Sequence, residues 1–282
     1  MTDRVTEITK ETLITAASTF RPDQIGAYEK AIAAETDETA RWAMESILEN
    51  ARVAADTRGP LCDDTGIPHV ILEVGPGSTI TGELLESVRE GVRQGLRELP
   101  GRPMAVMGDD VQRLEQSAGL SVNPDDMVLA PIMVIDSEEE GIRLNVLMEG
   151  GGPEIRSKTY RVFHKHSIDV VKKEIISWAS DEVGNLGCTP CTLAVGIGRT
   201  HYEASSLMLQ AMIKGRFDRQ NEIETEITDE INRLRVGPLG LGGDTTVLAT
   251  FLKVGPQRAS GVRIVSIRPC CCFEPRTASA QL

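Results

Sequence analysis

Apolar positions recur along this chain with two different periods. In DETARWAMESILENARVAADTRG, Trp42, Ala43, Ile47 and Leu48 fall at helical spacing before Gly59-Pro60 ends the run. GELLESVREGVRQGLREL places Leu84, Leu85, Val88, Val92 and Leu96 on one helical face. The short strand pattern PHVILEVG lies between these two runs, so residues 1 to about 100 read as mostly helical. Further on, IDVVKKEIISWASDEVGN, YEASSLMLQAMIKG and EIETEITDEINRLR predict three more helices. The middle one carries Ala204, Leu207, Met208, Ala211 and Met212 at the i, i+3, i+4 positions.

The other period is that of strands. MVLAPIMVID, IRLNVLMEG, TLAVGIG, TTVLATFLKVG and VRIVSIRP are short and apolar, with turn residues at their ends. GDDVQRLEQSAGLSVNPDD carries neither period and reads as a long loop. No repeat, low-complexity tract or Pro/Ser linker divides the chain. The elements do not alternate as regular βαβ units. The expectation is a mixed α/β (α+β) fold, with mixed sheets flanked by helices, in a single domain over residues 1–282.

Composition narrows the function. At 40% apolar and 26% charged residues the chain has the make-up of a globular protein. No apolar run reaches the ~18–20 residues that span a bilayer. MTDRVTEITKETL lacks the apolar core of a signal peptide, so the expected compartment is the cytoplasm, where thiols stay reduced. A net charge of −12 argues against a general nucleic-acid or membrane-surface binder. It leaves room for a small anionic substrate, which needs only a local cluster of Arg or backbone N–H groups.

The six cysteines are Cys62, Cys188, Cys191, Cys270, Cys271 and Cys272. Three stand side by side in RPCCCFEPR, and adjacent cysteines have poor geometry for bridging to one another. In a reducing compartment, metal binding or catalysis competes with the reading of small buried hydrophobes. Cys62 lies in LCDDTG, beside Asp63 and Asp64 and just before Gly66. Cys188 opens CTPCTLAVGIGRTHYEAS, where a strand is expected to run through a Gly196-Ile197-Gly198 turn into a helix whose N–H groups suit an anion. Cys188 and Cys191 also form a CxxC pair, without a thioredoxin-like context. MEGGGPEIRS and GPLGLGGDTT add two further glycine clusters, which serve equally as tight turns or as places where a ligand meets backbone. His164 and His166 would share one face if they lay on a strand. The alternative is a solvated loop end, as helix capping or exposure is for His201.

Taken together these segments resemble the iron–sulfur (class I) fumarases and L-tartrate dehydratases. LCDDTG is similar to that family's Cys-Gln-Asp-Thr-Gly. CTPCTLAVGIGRT resembles Cys-Pro-Pro-x-x-x-Gly-Val-Gly-Ile-Gly-Gly-Thr, in a register that puts the family cysteine on Cys188. GPLGLGGDTTVL resembles Gly-x-x-Gly-Leu-Gly-Gly-x-Thr-Thr-x-Leu, and EGGGPEIRS more weakly resembles Lys-Gly-Gly-Gly-Ser-Glu-Asn-x-Ser. Cys272 to Ala278 has the spacing of Cys-Trp-x-x-Arg-x-Ala, with Phe273 in place of Trp. The similarity runs from about residue 60 to 278.

The resemblance implies a 4Fe–4S cluster held by Cys62, Cys188 and Cys272, with Cys270 and Cys271 as bystanders. Electron-transfer clusters use four cysteines, whereas three leave one iron open as a Lewis acid for a departing hydroxyl. It implies a hydro-lyase that reversibly dehydrates a small hydroxy(di)carboxylic acid of the malate or tartrate kind. Asp64 matches the active-site aspartate, and Asp63, in place of glutamine, is expected to bind substrate. Gly151 and Gly152 would offer N–H groups to a substrate carboxylate, with Arg156 assisting or simply exposed. The family's Arg-Asn-Thr-Gly-Asp-Asn segment has no counterpart in RLEQSAGLSVNPD, where Arg113 is a loose substitute. Glu149 replaces a lysine and Arg199 replaces a glycine. The resemblance also implies a separate beta subunit carrying the second catalytic domain, and dimerisation through this chain. Two alternatives stay open at this point. One is a non-catalytic iron–sulfur or structural-metal protein. The other is a degenerate, partner-binding homologue.

Overall fold

A computed structural model describes residues 2–282. In chain order its helices are Thr2–Ser18 (α1), Pro22–Ala34 (α2), Glu38–Thr57 (α3), Gly82–Glu98 (α4), Asp110–Glu115 (α5), Gly151–Glu154 (α6), Ile168–Leu186 (α7), His201–Lys214 (α8) and Glu222–Asn232 (α9). The strands are Ile67–Val74 (β1), Met133–Asp136 (β2), Ile142–Glu149 (β3), Lys158–Phe163 (β4), Cys191–Gly198 (β5), Val247–Val254 (β6), Val262–Cys270 (β7) and Arg276–Gln281 (β8). The expected mixed α/β class is found, and residues 1–100 are mostly helical as expected. The chain divides into two compact units. One comprises residues 1–20, 51–151 and 276–282, the other residues 21–50 and 152–275.

The first unit is built on a four-stranded sheet in the order β2-β1-β3-β8. β1 runs parallel to β2 and antiparallel to β3, which is antiparallel to β8. Alternate residues Val70 and Leu72 of β1, with Leu144, Val146 and Met148 of β3, point into a core shared with Leu13 and Ala17 of α1 and Val88, Val92 and Leu96 of α4. α1 and α4 approach closely because α4 turns Gly91 and Gly95 toward α1. A β-carbon at Gly91 would sit 2.5 Å from the Thr6 carbonyl oxygen.

The second unit carries the sheet β4-β7-β5-β6, with β5 parallel to β6 and antiparallel to β7. Every residue of β5 is buried. Leu193, Val195 and Ile197 face a core with Val171, Ile175 and Val183 of α7 and Ile227 and Ile231 of α9. The opposite face of β5 receives α8. A β-carbon on Gly196 would overlap the Ala204 oxygen and the Met208 nitrogen, and one on Gly198 would lie 2.7 Å from the Ala204 nitrogen. These glycines were expected to form the turn between the strand and the helix. They instead lie within the strand and let a helix backbone press onto it.

Four further local expectations are corrected. In MVLAPIMVID only Met133–Asp136 pairs as a strand, because Pro131 has no N–H for a ladder. The expected long loop contains α5, started by a capping box between Asp109 and Gln112 and closed off by the Val106–Leu120 bridge. His164 and His166 lie beyond the end of β4, in a turn where Lys165 and His166 have positive φ, so they share no strand face. The His164 ring bonds the Ser260 carbonyl and the His166 N–H. Finally, β8 follows VRIVSIRP, where no strand was expected.

Candidate functional site

In the first unit, α3 ends at Thr57 and residues 61–64 bend sharply before β1. Leu61 is buried and donates its N–H to the Ala17 carbonyl at 2.9 Å, which anchors the bend. Arg276, the first residue of β8 and almost wholly buried, donates Nη1 to the carbonyls of Asp64 at 2.7 Å and Thr65 at 3.2 Å. Gly66 has φ +88°, and a β-carbon there would meet Arg276 Nη2 and the Glu149 carbonyl oxygen. Only glycine fits this position without strain.

Asp64 Oδ2 accepts the Gly151 N–H at 2.8 Å. One of the two glycine N–H groups expected to face a substrate is thus turned to the aspartate. Cys62 Sγ lies 3.7 Å from Asp63 Oδ1. The Asp63 side chain is 78% exposed and stands 3.3 Å from Arg102 Nη1. Arg102 is itself placed beside the bend, since its carbonyl accepts the Thr65 hydroxyl at 2.9 Å. Arg113, by contrast, lies on α5, where it pairs with Asp110 on the surface.

Two groups here escaped the sequence reading. Arg102 is a cation next to the Cys62–Asp64 bend, signalled only by its place just after α4. The other is the pair formed by His69 Nε2 and the buried Glu149 Oε2 at 3.3 Å, with His69 Nδ1 against the Ile67 carbonyl at 3.1 Å. The Ile67–Glu149 register of β1 and β3 creates that pair, and no local pattern announces it. Arg276 lay inside a motif that the sequence reading had noted for its cysteine.

In the second unit, Cys188 follows the Gly187 cap of α7 and is exposed. Its carbonyl accepts the Cys272 N–H at 2.8 Å, so two of the motif cysteines meet through their backbones. Tyr28 of α2 donates its hydroxyl to the Cys272 carbonyl at 2.6 Å. The loop after β7 is tied further by Glu274, which accepts Arg268 Nη1 at 2.7 Å and the Cys271 N–H at 3.3 Å. Neither Arg268 nor Glu274 has any exposed side chain. Cys191 is buried, and burial pushes its thiol up to about 12. A thiol held protonated in this way is a poor ligand, which separates Cys191 from the exposed Cys188. Cys270 and Cys271 are buried as well, and so is Cys272 itself.

The glycine-rich segment 237–243 wraps around Thr189. Leu239 N–H donates to the Thr189 carbonyl at 2.9 Å, Gly240 N–H to its hydroxyl at 3.2 Å, and that hydroxyl to the Gly237 carbonyl. Gly237, Leu241 and Gly242 spend their N–H groups within the loop or on Thr246. The segment is therefore a brace for residues 188–190 and not an anion nest. Its far end is pinned by the buried carboxylate of Glu35, which accepts the N–H groups of Thr36, Asp37, Asp244 and Thr245.

Open space surrounds the position of a β-carbon on Gly152, and Arg156 Nη1 lies 3.4 Å from Glu182. His201 is exposed at the start of α8, which Thr200 caps, and Arg199 pairs with Glu203. Among the described residues no three His, Cys, Asp or Glu side chains are grouped closely enough to hold a metal ion, the His164–His166 pair included. No helix among them is long and apolar enough to cross a membrane.

Comparison with known proteins bears on this arrangement. A putative L(+)-tartrate dehydratase subunit alpha of Methanocaldococcus jannaschii is 29% identical over 265 residues, covering 90% of this chain and 88% of the relative. L(+)-tartrate dehydratase subunit alpha of Escherichia coli (strain K12) is 22% identical over 273 residues, covering 95% and 88%. The sequence model described as fumarate hydratase (Fumerase) matches residues 6–281, through both compact units. With that match over nearly its whole length, the chain belongs to the fumarate hydratase family of hydro-lyases.

Proposed function

We propose that the chain is the alpha subunit of a hydro-lyase that reversibly dehydrates a small hydroxy(di)carboxylic acid of the malate or tartrate kind. Its cofactor in this reading is a 4Fe–4S cluster on Cys62, Cys188 and Cys272, with both units acting as one alpha-type domain. The observation that carries the reading is the Cys272 N–H to Cys188 carbonyl bond, which joins two motif cysteines in one place. The donors fit in kind. Cys188 is exposed, whereas its neighbour Cys191 is buried and held as a thiol. Cys62 belongs to the other unit and is assigned on its motif.

When bound, the cluster supplies a Lewis-acidic iron for the leaving hydroxyl. The chain's own groups do the rest. The Gly151 N–H holds Asp64 Oδ2, which leaves Oδ1 as the atom to accept or return a proton. Arg276 fixes the Asp64 backbone, so the carboxylate cannot swing away. Arg102, half-exposed beside Asp63, is the cation for a substrate carboxylate, and Asp63 sets its direction. The Gly152 N–H and Arg156 are assigned to a carboxylate on their motif alone. The relatives' designation as alpha subunits supports a beta subunit carrying the remaining catalytic domain. The chain would dimerise through its own surface and work in the cytoplasm, where the thiols stay reduced.

The test is anaerobic co-expression with the beta subunit, with iron and sulfide measured per chain and malate, tartrate and methyl-substituted analogues assayed. Cluster content is expected to vanish in Cys62→Ser, Cys188→Ser and Cys272→Ser, and to persist in Cys270→Ser and Cys271→Ser. A cluster retained by all three of the first set, or no dehydration of any hydroxy acid, overturns the reading.

A further inference from the structure

Cys272 is gripped on both sides of its backbone. Its N–H donates to the Cys188 carbonyl at 2.8 Å and its carbonyl accepts the Tyr28 hydroxyl at 2.6 Å. Tyr28 comes from α2, far away in sequence, and is wholly buried. On the other side of the loop, Glu274 holds the Cys271 N–H and the Arg268 guanidinium.

We infer that Tyr28 is a positioning residue for the Cys272 thiolate, fixing the direction in which that sulfur leaves the chain. The inference rests on the assignment of Cys272 as a ligand in the reading above. The Cα–Cβ bond of Cys272 points where its two flanking peptide planes send it. One plane is pinned by Cys188, itself a proposed ligand, and the other by Tyr28. Water satisfies an exposed loop carbonyl at little cost, but it does not fix a plane. A buried phenol carried by a rigid helix does. With the second pin removed, the plane turns, the sulfur departs from its ligating direction more often, and the bound iron is lost sooner.

The experiment compares wild type, Tyr28→Phe and Ile231→Ala in the full chain with its beta subunit, prepared anaerobically. Ile231 is buried in the α7–α9 core of the same unit. Three readouts are taken: the electron paramagnetic resonance spectrum of the one-electron-oxidised cluster, the rate of iron loss to a chelator, and the alkylation rate of Cys272 in the cluster-free chain. Tyr28→Phe is expected to broaden the spectrum and to speed iron loss and Cys272 alkylation roughly tenfold. Ile231→Ala is expected to lower the melting temperature at least as much while leaving all three near wild type. If Tyr28→Phe matches wild type, or Ile231→Ala loosens the cluster equally, Tyr28 has no positioning role and the functional reading stands. If wild type itself takes up no cluster, the functional reading fails and takes this inference with it.

Discussion

Gly66 lies so close to Arg276 that a β-carbon at residue 66 would fall 2.5 Å from the guanidinium Nη2. The same carbon would stand 2.9 Å from the Glu149 carbonyl oxygen, and φ is +88°. Gly66→Ala therefore meets both strain and overlap beside the proposed catalytic aspartate. It is expected to destabilise the chain by about 2–4 kcal/mol. The loss would appear as a fall in melting temperature of roughly 2–4 °C for each kcal/mol. A melting curve superimposable on wild type would refute the packing.

Asp64→Asn separates chemistry from structure. The amide oxygen still accepts the Gly151 N–H, so the melting temperature should hardly move. The proton acceptor is gone, and kcat should fall roughly 10²–10⁴-fold. Turnover near wild type in the anaerobic holoenzyme would remove Asp64 from the proton path.

Arg102→Lys probes the substrate carboxylate. Lysine keeps the charge but not the planar pair of donors. KM is expected to rise about tenfold, the cost of roughly one good charge-assisted hydrogen bond, with kcat little changed. An unchanged KM would mean that Arg102 serves Asp63 alone.

The buried thiol of Cys191 makes stability depend on pH. Its folded value is about 12, against ~8.5 for an unfolded cysteine. A raised folded value means that the stabilisation is complete below about 8.5 and is lost as pH climbs toward 12. Between pH 8.5 and 10 the loss from this group should reach about 1–2 kcal/mol. Denaturant titrations at the two pH values should show that extra drop in wild type and not in Cys191→Ala. The same burial orders alkylation at pH 8, with Cys188 and Cys62 modified well before Cys191, as peptide mass spectrometry would show.

Gly196→Ala tests the packing of α8 on β5. A methyl group there meets the backbone of α8, which has no flexible end to move aside. The expected cost is about 1–3 kcal/mol or more, read as a lower denaturation midpoint. A neutral result would show that α8 does not press on β5 as described.

How much of this was legible in the sequence depended on whether the signal was local. α3, α4, α7, α8 and α9 each bury one stripe of a helix, and their periodicity announced them. β5 and β7 are apolar runs inside a sheet and were equally plain. β8, with the sequence RTASAQ, is an edge strand without an apolar run, and only its pairing with β3 makes it a strand. β4 is a half-exposed edge for the same reason. α5 buries no residue, so its one announcement was the Asp109–Gln112 capping box. The site divides in the same way. Cysteines and glycines fixed in short motifs were found. Arg102, the His69–Glu149 pair and the grip of Tyr28 on Cys272 join residues that only the folded chain brings together.

The first unit's sheet is finished by a strand from a distant part of the chain. β3 pairs with β8 from Arg143–Gln281 to Met148–Arg276, and the chain passes through residues 152–275 of the second unit between them. On a ribosome, which adds about 5–20 residues each second, β3 waits with an open edge while the intervening residues are made. Arg276 arrives only after them, so the bend that carries Cys62 and Asp64 lacks its guanidinium support until then. A nascent chain stalled short of β8 therefore displays an uncapped strand for other chains to capture.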